Sequence, residues 1–268
     1  MSLSEVPSRH ETYEGARAIF IHTRGIMSVG GFLFLFITGV TVIALSCALD
    51  RLWAAAMPVR AIYLFIRLPG VVLHECSHII GCLLTGAQVR NVVLFSQDGG
   101  SVTYTRPRLP YLGDVIISTA PLFLLPLALS SVTWIFGSYL GCVFPAFPSQ
   151  LESAGALSGL GMAVFGTFSE NLLTQFNGWF LLYLYLTVSL VLSVAPSTQD
   201  MKNAAAGSIL LVLAGILIAG SGIPSAVSLL DELVRLLGYG FMLGLVYGLV
   251  ALCASLPLLF WYVYTHRS

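Results

Sequence analysis

The chain has 268 residues, 57% of them hydrophobic and only 9% charged, with a mean hydropathy of +0.91. An ordinary soluble domain carries about 25% charged residues, so this composition excludes that class and describes a polytopic membrane protein. Twelve basic and twelve acidic residues cancel, which offers nothing to nucleic acid, and five cysteines without a CxxC pair form neither a disulfide framework nor a zinc knuckle.

Residues 1–25 are polar, carry Arg9, Arg17 and Arg24, and read as an extramembrane arm ahead of a single membrane domain, 26–268. The apolar run Ile26–Leu49 can cross about 30 Å of hydrocarbon and exceeds the apolar core of a signal peptide, about 7–15 residues. It reads as a retained first span. A link from Asp50 to Arg60 leads to a second span, about Ala61–Gly86, in which Pro69-Gly70 can kink or restart the helix.

One turn beyond that pair lies Leu73-His74-Glu75-Cys76-Ser77-His78. Residues four apart share a helix face, so His74 and His78 can offer imidazole nitrogens to one cation. Glu75, about a quarter turn away, can act on water as a base without being a ligand. A zinc hydrolase needs two such histidines, a carboxylate base and a third ligand from elsewhere. Three ionisable groups inside a span are costly, which marks them as functional. Cys76 points to the opposite face and reads as a packing residue.

Beyond the second span the period changes. Val89–Phe95 and Ser101–Thr105 read as two β-strands joined by Gln97-Asp98-Gly99-Gly100, a hairpin that either presents an edge to an extended peptide or merely caps the bundle. Arg106, Pro107, Arg108 and Pro110 make a stiff basic link. A third span covers about Asp114–Leu140, interrupted by Pro121 and Pro126. The patch Gly155–Phe168 is too short to cross and reads as interfacial or re-entrant. Fourth and fifth spans follow at about Gly178–Ala195 and Asn203–Gly222. Pro224–Tyr239 looks like an amphipathic helix bearing Asp231, Glu232 and Arg235, and a sixth span, about Gly240–Tyr264, closes the chain. The expected fold is therefore all-α and polytopic, about six transmembrane helices with a small β-hairpin after the metal-bearing helix.

Six spans put both termini on one side. That side collects eight basic residues (Arg9, Arg17, Arg24, Arg90, Arg106, Arg108, Lys202, Arg267) against Arg51, Arg60 and Arg235 on the other, which makes it cytoplasmic, in the cell membrane. The histidines then lie roughly 12–18 Å below the cytoplasmic surface.

Few acids can supply the third ligand. Asp200, next to a span end and in the first turn of a helix opened by Pro196-Ser197, is the leading candidate; Asp114 is the alternative, with Asn171 or Asn177 as polar helpers. A second reading of Asp200 is that it only complements the positive end of its helix.

These residues resemble the site-2 protease family of intramembrane zinc metalloproteases over about 61–202. The resemblance rests on His74-Glu75-Cys76-Ser77-His78 in a span, on 86–105 with Phe95 and Gly99-Gly100, and on Ala120-Pro121 in the next span. The family's usual Gly before that Pro is Ala120 here, the Asn that follows it is absent, and Ala195-Pro196-Ser197-Thr198-Gln199-Asp200 resembles the Pro-Ser-x-x-Asp variant of divergent members. What the resemblance implies is a minimal member: Zn2+ on His74, His78 and Asp200, Glu75 as general base, and a membrane-protein substrate cut in or near its transmembrane segment. The metalloprotease core would be about 61–202 and the C-terminal spans about 203–264. Two other classes compete. One is a zinc-binding scaffold or regulator that does not cleave, against which the intact Glu75 argues. The other is a transporter, for which the chain lacks a paired second half.

Overall fold

The computed structural model describes residues 29–94, 96, 99–144 and 154–266; the amino-terminal arm, Phe95, Gln97, Asp98, Glu152 and Arg267 lie outside them. The elements are α1 (Val29–Ala56), α2 (Arg60–Thr85), β1 (Val89–Val93), β2 (Ser101–Tyr104), α3 (Leu112–Tyr139), α4 (Ala154–Phe168, continued by a π-helical turn, Ser169–Thr174), α5 (Gly178–Leu192), α6 (Thr198–Gly220) and α7 (Pro224–Thr265). The protein is all-α and polytopic, with one small antiparallel sheet. Among the described residues five helices are long and apolar enough to cross a membrane: α1 from Leu35, α2, α3, α6 and α7; α5 is a shorter apolar helix.

Small side chains let the helices approach, and the pairs they make fix each direction. Along α1 and α7 the close contacts are Leu35 with Gly238, Gly39 with Phe241, Val42 with Gly244, Leu45 with Gly248, and the Trp53 indole donating to Ser255 Oγ at 2.9 Å. Both sequences advance together, so α1 and α7 are parallel. Phe123 meets Gly240, Pro126 meets Gly244 and Thr133 meets Tyr247, so α3 runs the same way. Helix α2 is antiparallel to α3, with His78 and Gly81 against Ile117 and Thr85 near Gly113.

Helices α5 and α6 hold the main departure from the sequence reading. Helix α5 opposes α3, with Asn177 by Leu140 and Tyr183 by Thr133. Helix α6 opposes α3 as well, with Asp200 near the level of Ile117 and Gly207 against Tyr111 and Val115. Both therefore run in the same direction. At 15 residues, about 22 Å, α5 is too short to cross alone. The segments read as separate fourth and fifth spans are two halves of one broken crossing.

Two corrections follow. The residues of the amphipathic helix, 224–239, and those of the sixth span form one continuous helix, Pro224–Thr265, because Gly240 sits in helical backbone against the Phe123 ring rather than in a turn. The described helix ends also differ from the six-span arrangement, since parallel α1 and α7 leave Val29 and Thr265 at opposite ends of the bundle. In a cysteine-free background, single cysteines at Leu109, in the α2–α3 link, and at Thr265 should label from opposite faces of the membrane. Labelling of both from one face would restore the six-crossing arrangement.

Two apolar clusters hold the bundle. One joins Val42, Leu49, Leu125, Leu129, Val188, Leu192 and Ala251; the other joins Phe136, Leu160, Val164, Phe180, Tyr183 and Val246. Leu160 and Val164 come from the short helix α4, which packs on the bundle and at 15 residues does not reach across it. The hairpin forms where the sequence places it, pairing Val89 with Tyr104 and Val93 with Ser101, with a bulge between Val89 and Asn91. Val89 and Tyr104 pack on Cys82, Ala87 and Ile117, which seats the hairpin at the α2–α3 end.

Candidate metal centre

Helix α2 is kept in place by α5 through three contacts in parallel register. Pro69 has no N–H to give to the Phe65 carbonyl, and that oxygen accepts the Tyr185 hydroxyl at 3.1 Å. The Gly70 N–H donates to Ser189 Oγ at 2.9 Å. One turn on, His74 Nδ1 meets the Ser193 carbonyl oxygen at 2.6 Å. A Cβ on Gly70 would land on the Ser189 carbonyl oxygen and within 2.7 Å of Ser193 Oγ, so the backbones touch at this level because residue 70 is glycine.

Those contacts dictate the histidine tautomers. His78 Nδ1 meets the Ile117 carbonyl oxygen at 2.8 Å. Carbonyls only accept, so both Nδ1 atoms carry hydrogen and donate, and each neutral ring presents its Nε2 lone pair. The two Nε2 atoms lie 3.2 Å apart. Asp200 Oδ1 lies 3.5 Å from His78 Nε2, and Oδ2 lies 3.9 Å from His74 Nε2.

Asp200 reaches this depth because the α5–α6 crossing breaks there. Ser193 and Val194 are buried, and Pro196 cannot continue the helix of α5. Ser197 restarts it as the N-cap. Its N–H and hydroxyl donate to Asp200 Oδ2 at 2.9 and 2.6 Å, and the Asp200 N–H donates to Ser197 Oγ at 3.1 Å. Asp200 thus completes a capping box and faces the histidines as well.

Three ligand atoms, one each from His74, His78 and Asp200, lie within 4.8 Å of one another, a group that could hold a metal ion. Two lone pairs and a carboxylate facing one another call for a cation. Zinc–ligand bonds of about 2.0–2.2 Å in a tetrahedral site set neighbouring donors a little over ~3 Å apart, close to the 3.2 and 3.5 Å found. The residues fit zinc.

Glu75 is 5% exposed and lies under the hairpin turn. A Cβ on Gly100 would come within 2.6 Å of Glu75 Oε1 and 2.7 Å of its Cδ, so the chain passes directly over the carboxylate. The other candidates fall elsewhere. Asp114 stays outside the histidine group and beside Tyr104, whose phenol is pushed up by burial and by that carboxylate. Asn171 is spent on Val143 and Thr167, and Asn177 caps α5 and donates to Leu140, so neither helps the site. Both belong to the α3–α5 connection at the far end of the bundle. Cys76 takes no part in the group.

Sequence reading missed the Ser193 and Ile117 carbonyls, since a backbone partner leaves no trace in residue type. Ser189 did leave one: with Ser193 it forms an i, i+4 pair of small polar residues on an otherwise apolar helix, opposite Pro69-Gly70.

Residues 37–137 match the family model described as Peptidase M50B-like. Over that stretch the chain is M50B-like. That similarity agrees with the resemblance to site-2 proteases read from the sequence, and the long apolar helices support an integral membrane protein. No curated protein and no solved structure matches the chain. The M50B-like segment contains α2, the hairpin and most of α3, hence His74, Glu75 and His78; Asp200 comes to it from beyond the matched residues.

Proposed function

We propose that this protein is an intramembrane zinc metalloendopeptidase that hydrolyses a peptide bond in or near a transmembrane segment of another membrane protein. The observation that carries the reading is the convergence of His74 Nε2, His78 Nε2 and an Asp200 oxygen, with both Nδ1 atoms tied to carbonyls, in an M50B-like segment. In this reading 26–268 is one membrane domain, and 61–202 carries the protease core.

Bound zinc lowers the pKa of water to about 7 and polarises a carbonyl. Ser193 and Ile117 hold the imidazoles in the tautomer that leaves Nε2 free. Ser197 holds Asp200 Oδ2, which leaves Oδ1 toward His78. Glu75, buried beside the histidines and outside the ligand set, accepts the proton of the attacking water and returns it to the leaving amine. The fold and Gly100 shield this chemistry from bulk water on the hairpin side.

The sidedness follows from the broken crossing. Among the described residues, the end that carries the hairpin and the α6–α7 turn collects Arg90, Arg106, Arg108, Lys202 and Arg235. The other collects Arg51 and Arg60, so five against two favours a cytoplasmic hairpin end. The Thr265 end of α7 then lies across the membrane.

The test is metal analysis of purified wild type beside the double variant His74→Ala/His78→Ala. About one zinc per chain, absent from the variant together with proteolysis, is the expected result. Stoichiometric metal in the variant would sink the zinc reading.

A further inference from the structure

Breaking a helix at membrane depth frees backbone groups that lipid cannot satisfy, so protein must supply their partners. At the α5–α6 break, one side chain from a distant helix does so twice. Ser46 Oγ, on α1 and 1% exposed, donates to the Val191 carbonyl at 2.7 Å and accepts from the Ala195 N–H at 3.0 Å. The two groups it joins lie on either side of Ser193, whose own carbonyl receives His74 Nδ1. Five residues past Ala195 stands Asp200.

We infer that Ser46 is a positioning residue for the metal centre. By bridging Val191 and Ala195 it fixes the curvature of the broken crossing, and so sets where the Ser193 carbonyl and Asp200 stand relative to His74 and His78. A serine does this because one hydroxyl both donates and accepts. Alanine at 46 would leave the half-buried Ala195 N–H without its partner and the buried Val191 carbonyl with only the short-range bonds of its own helix end, such as that from the Val194 N–H at 3.2 Å, and the segment would relieve the loss by shifting. The shift would reach the ligands, since only backbone connects the bridge to them. This inference rests on the zinc reading above and adds to it a residue from α1, a helix that supplies no ligand.

Purified protein in detergent, stripped of metal and titrated with Co2+, separates the possibilities, because visible cobalt bands report ligand geometry and the titration reports affinity. Ser46→Ala should bind cobalt at least ~10-fold more weakly, in the range typical for loss of a group that orients a ligand, with shifted bands. Ser46→Cys, which keeps a weak donor and acceptor in a similar volume, should fall between wild type and Ser46→Ala. It also carries the test alone should the alanine variant not be recovered folded. Ser255→Ala is the control. It removes an equally buried hydroxyl that ties α7 to Trp53 of α1, away from the break. It should keep the wild-type bands and affinity. Ser46 variants with wild-type affinity and bands overturn the inference and leave the zinc reading standing. Ser255→Ala with the same loss as Ser46→Ala also overturns it, by making the effect general to buried hydroxyls that tie α1 to the bundle. Wild type that binds no cobalt, like His74→Ala, removes the zinc reading and this inference with it.

Discussion

Glu75→Gln should yield a folded, zinc-loaded protein whose proteolysis is reduced at least ~10²-fold, the lower end of what a positioned acid–base group supplies. Glu75 is not among the three groups that converge, so its loss as a carboxylate leaves the ion's cradle untouched. Glutamine keeps the length and volume that the passage of Gly100 over residue 75 demands. What it cannot do is accept a proton. Asp200→Asn should behave differently, with metal content and cleavage falling together. A co-expressed membrane substrate followed by gel shift, with metal analysis of each variant, distinguishes them. Cleavage at the wild-type rate by Glu75→Gln would mean that the base is elsewhere. An unchanged cellular role with either substitution would favour the scaffold that binds zinc without cutting.

Gly70→Ala should be strongly damaging for the addition of a single methyl group. Its Cβ would meet the backbone carbonyl of Ser189, which cannot rotate away as a side-chain tip can, so α2 and α5 must separate. Overpacking of this kind costs about 1–3 kcal/mol or more. The separation also pulls the Ser193 carbonyl from His74. A lowered unfolding temperature and loss of bound metal are expected together. Gly159→Ala, on α4 with open space around it, should change neither. A Gly70→Ala protein with normal metal content would show that the α2–α5 contact does not set the site.

Much of this was legible from residue types. His74, Glu75 and His78 were legible because one helical turn fixes their relations whatever surrounds the helix. The hairpin was legible from its valines and its Gly99-Gly100, and Asp200 from the Pro196-Ser197 start signal. The direction of α6 was not. Hydropathy shows that 178–195 and 203–222 are apolar but not whether the chain turns back between them, and Pro196 is equally suited to a loop at the surface and a break in the middle. What decides is partners: Ser46 for the freed backbone, His74 for the Ser193 carbonyl, Tyr111 against Gly207. They come from distant parts of the chain. The single helix Pro224–Thr265 was hidden for a related reason, since Gly240 reads locally as punctuation and is in fact the space that admits Phe123.

The capping box of Ser197 and Asp200 bears on how the protein lives without its ion. In small zinc modules the free energy of metal binding is the free energy of folding, and a chelator unfolds them. Here the carboxylate is aimed by hydrogen bonds from its own helix start, and both imidazoles are aimed by carbonyls, none of which needs the ion. The arrangement of the three groups therefore stands on protein contacts alone. Under the zinc reading, chelation should strip the ion without melting the bundle and resupply should restore it without refolding, which would make ion supply a reversible throttle on a protein already seated in its membrane.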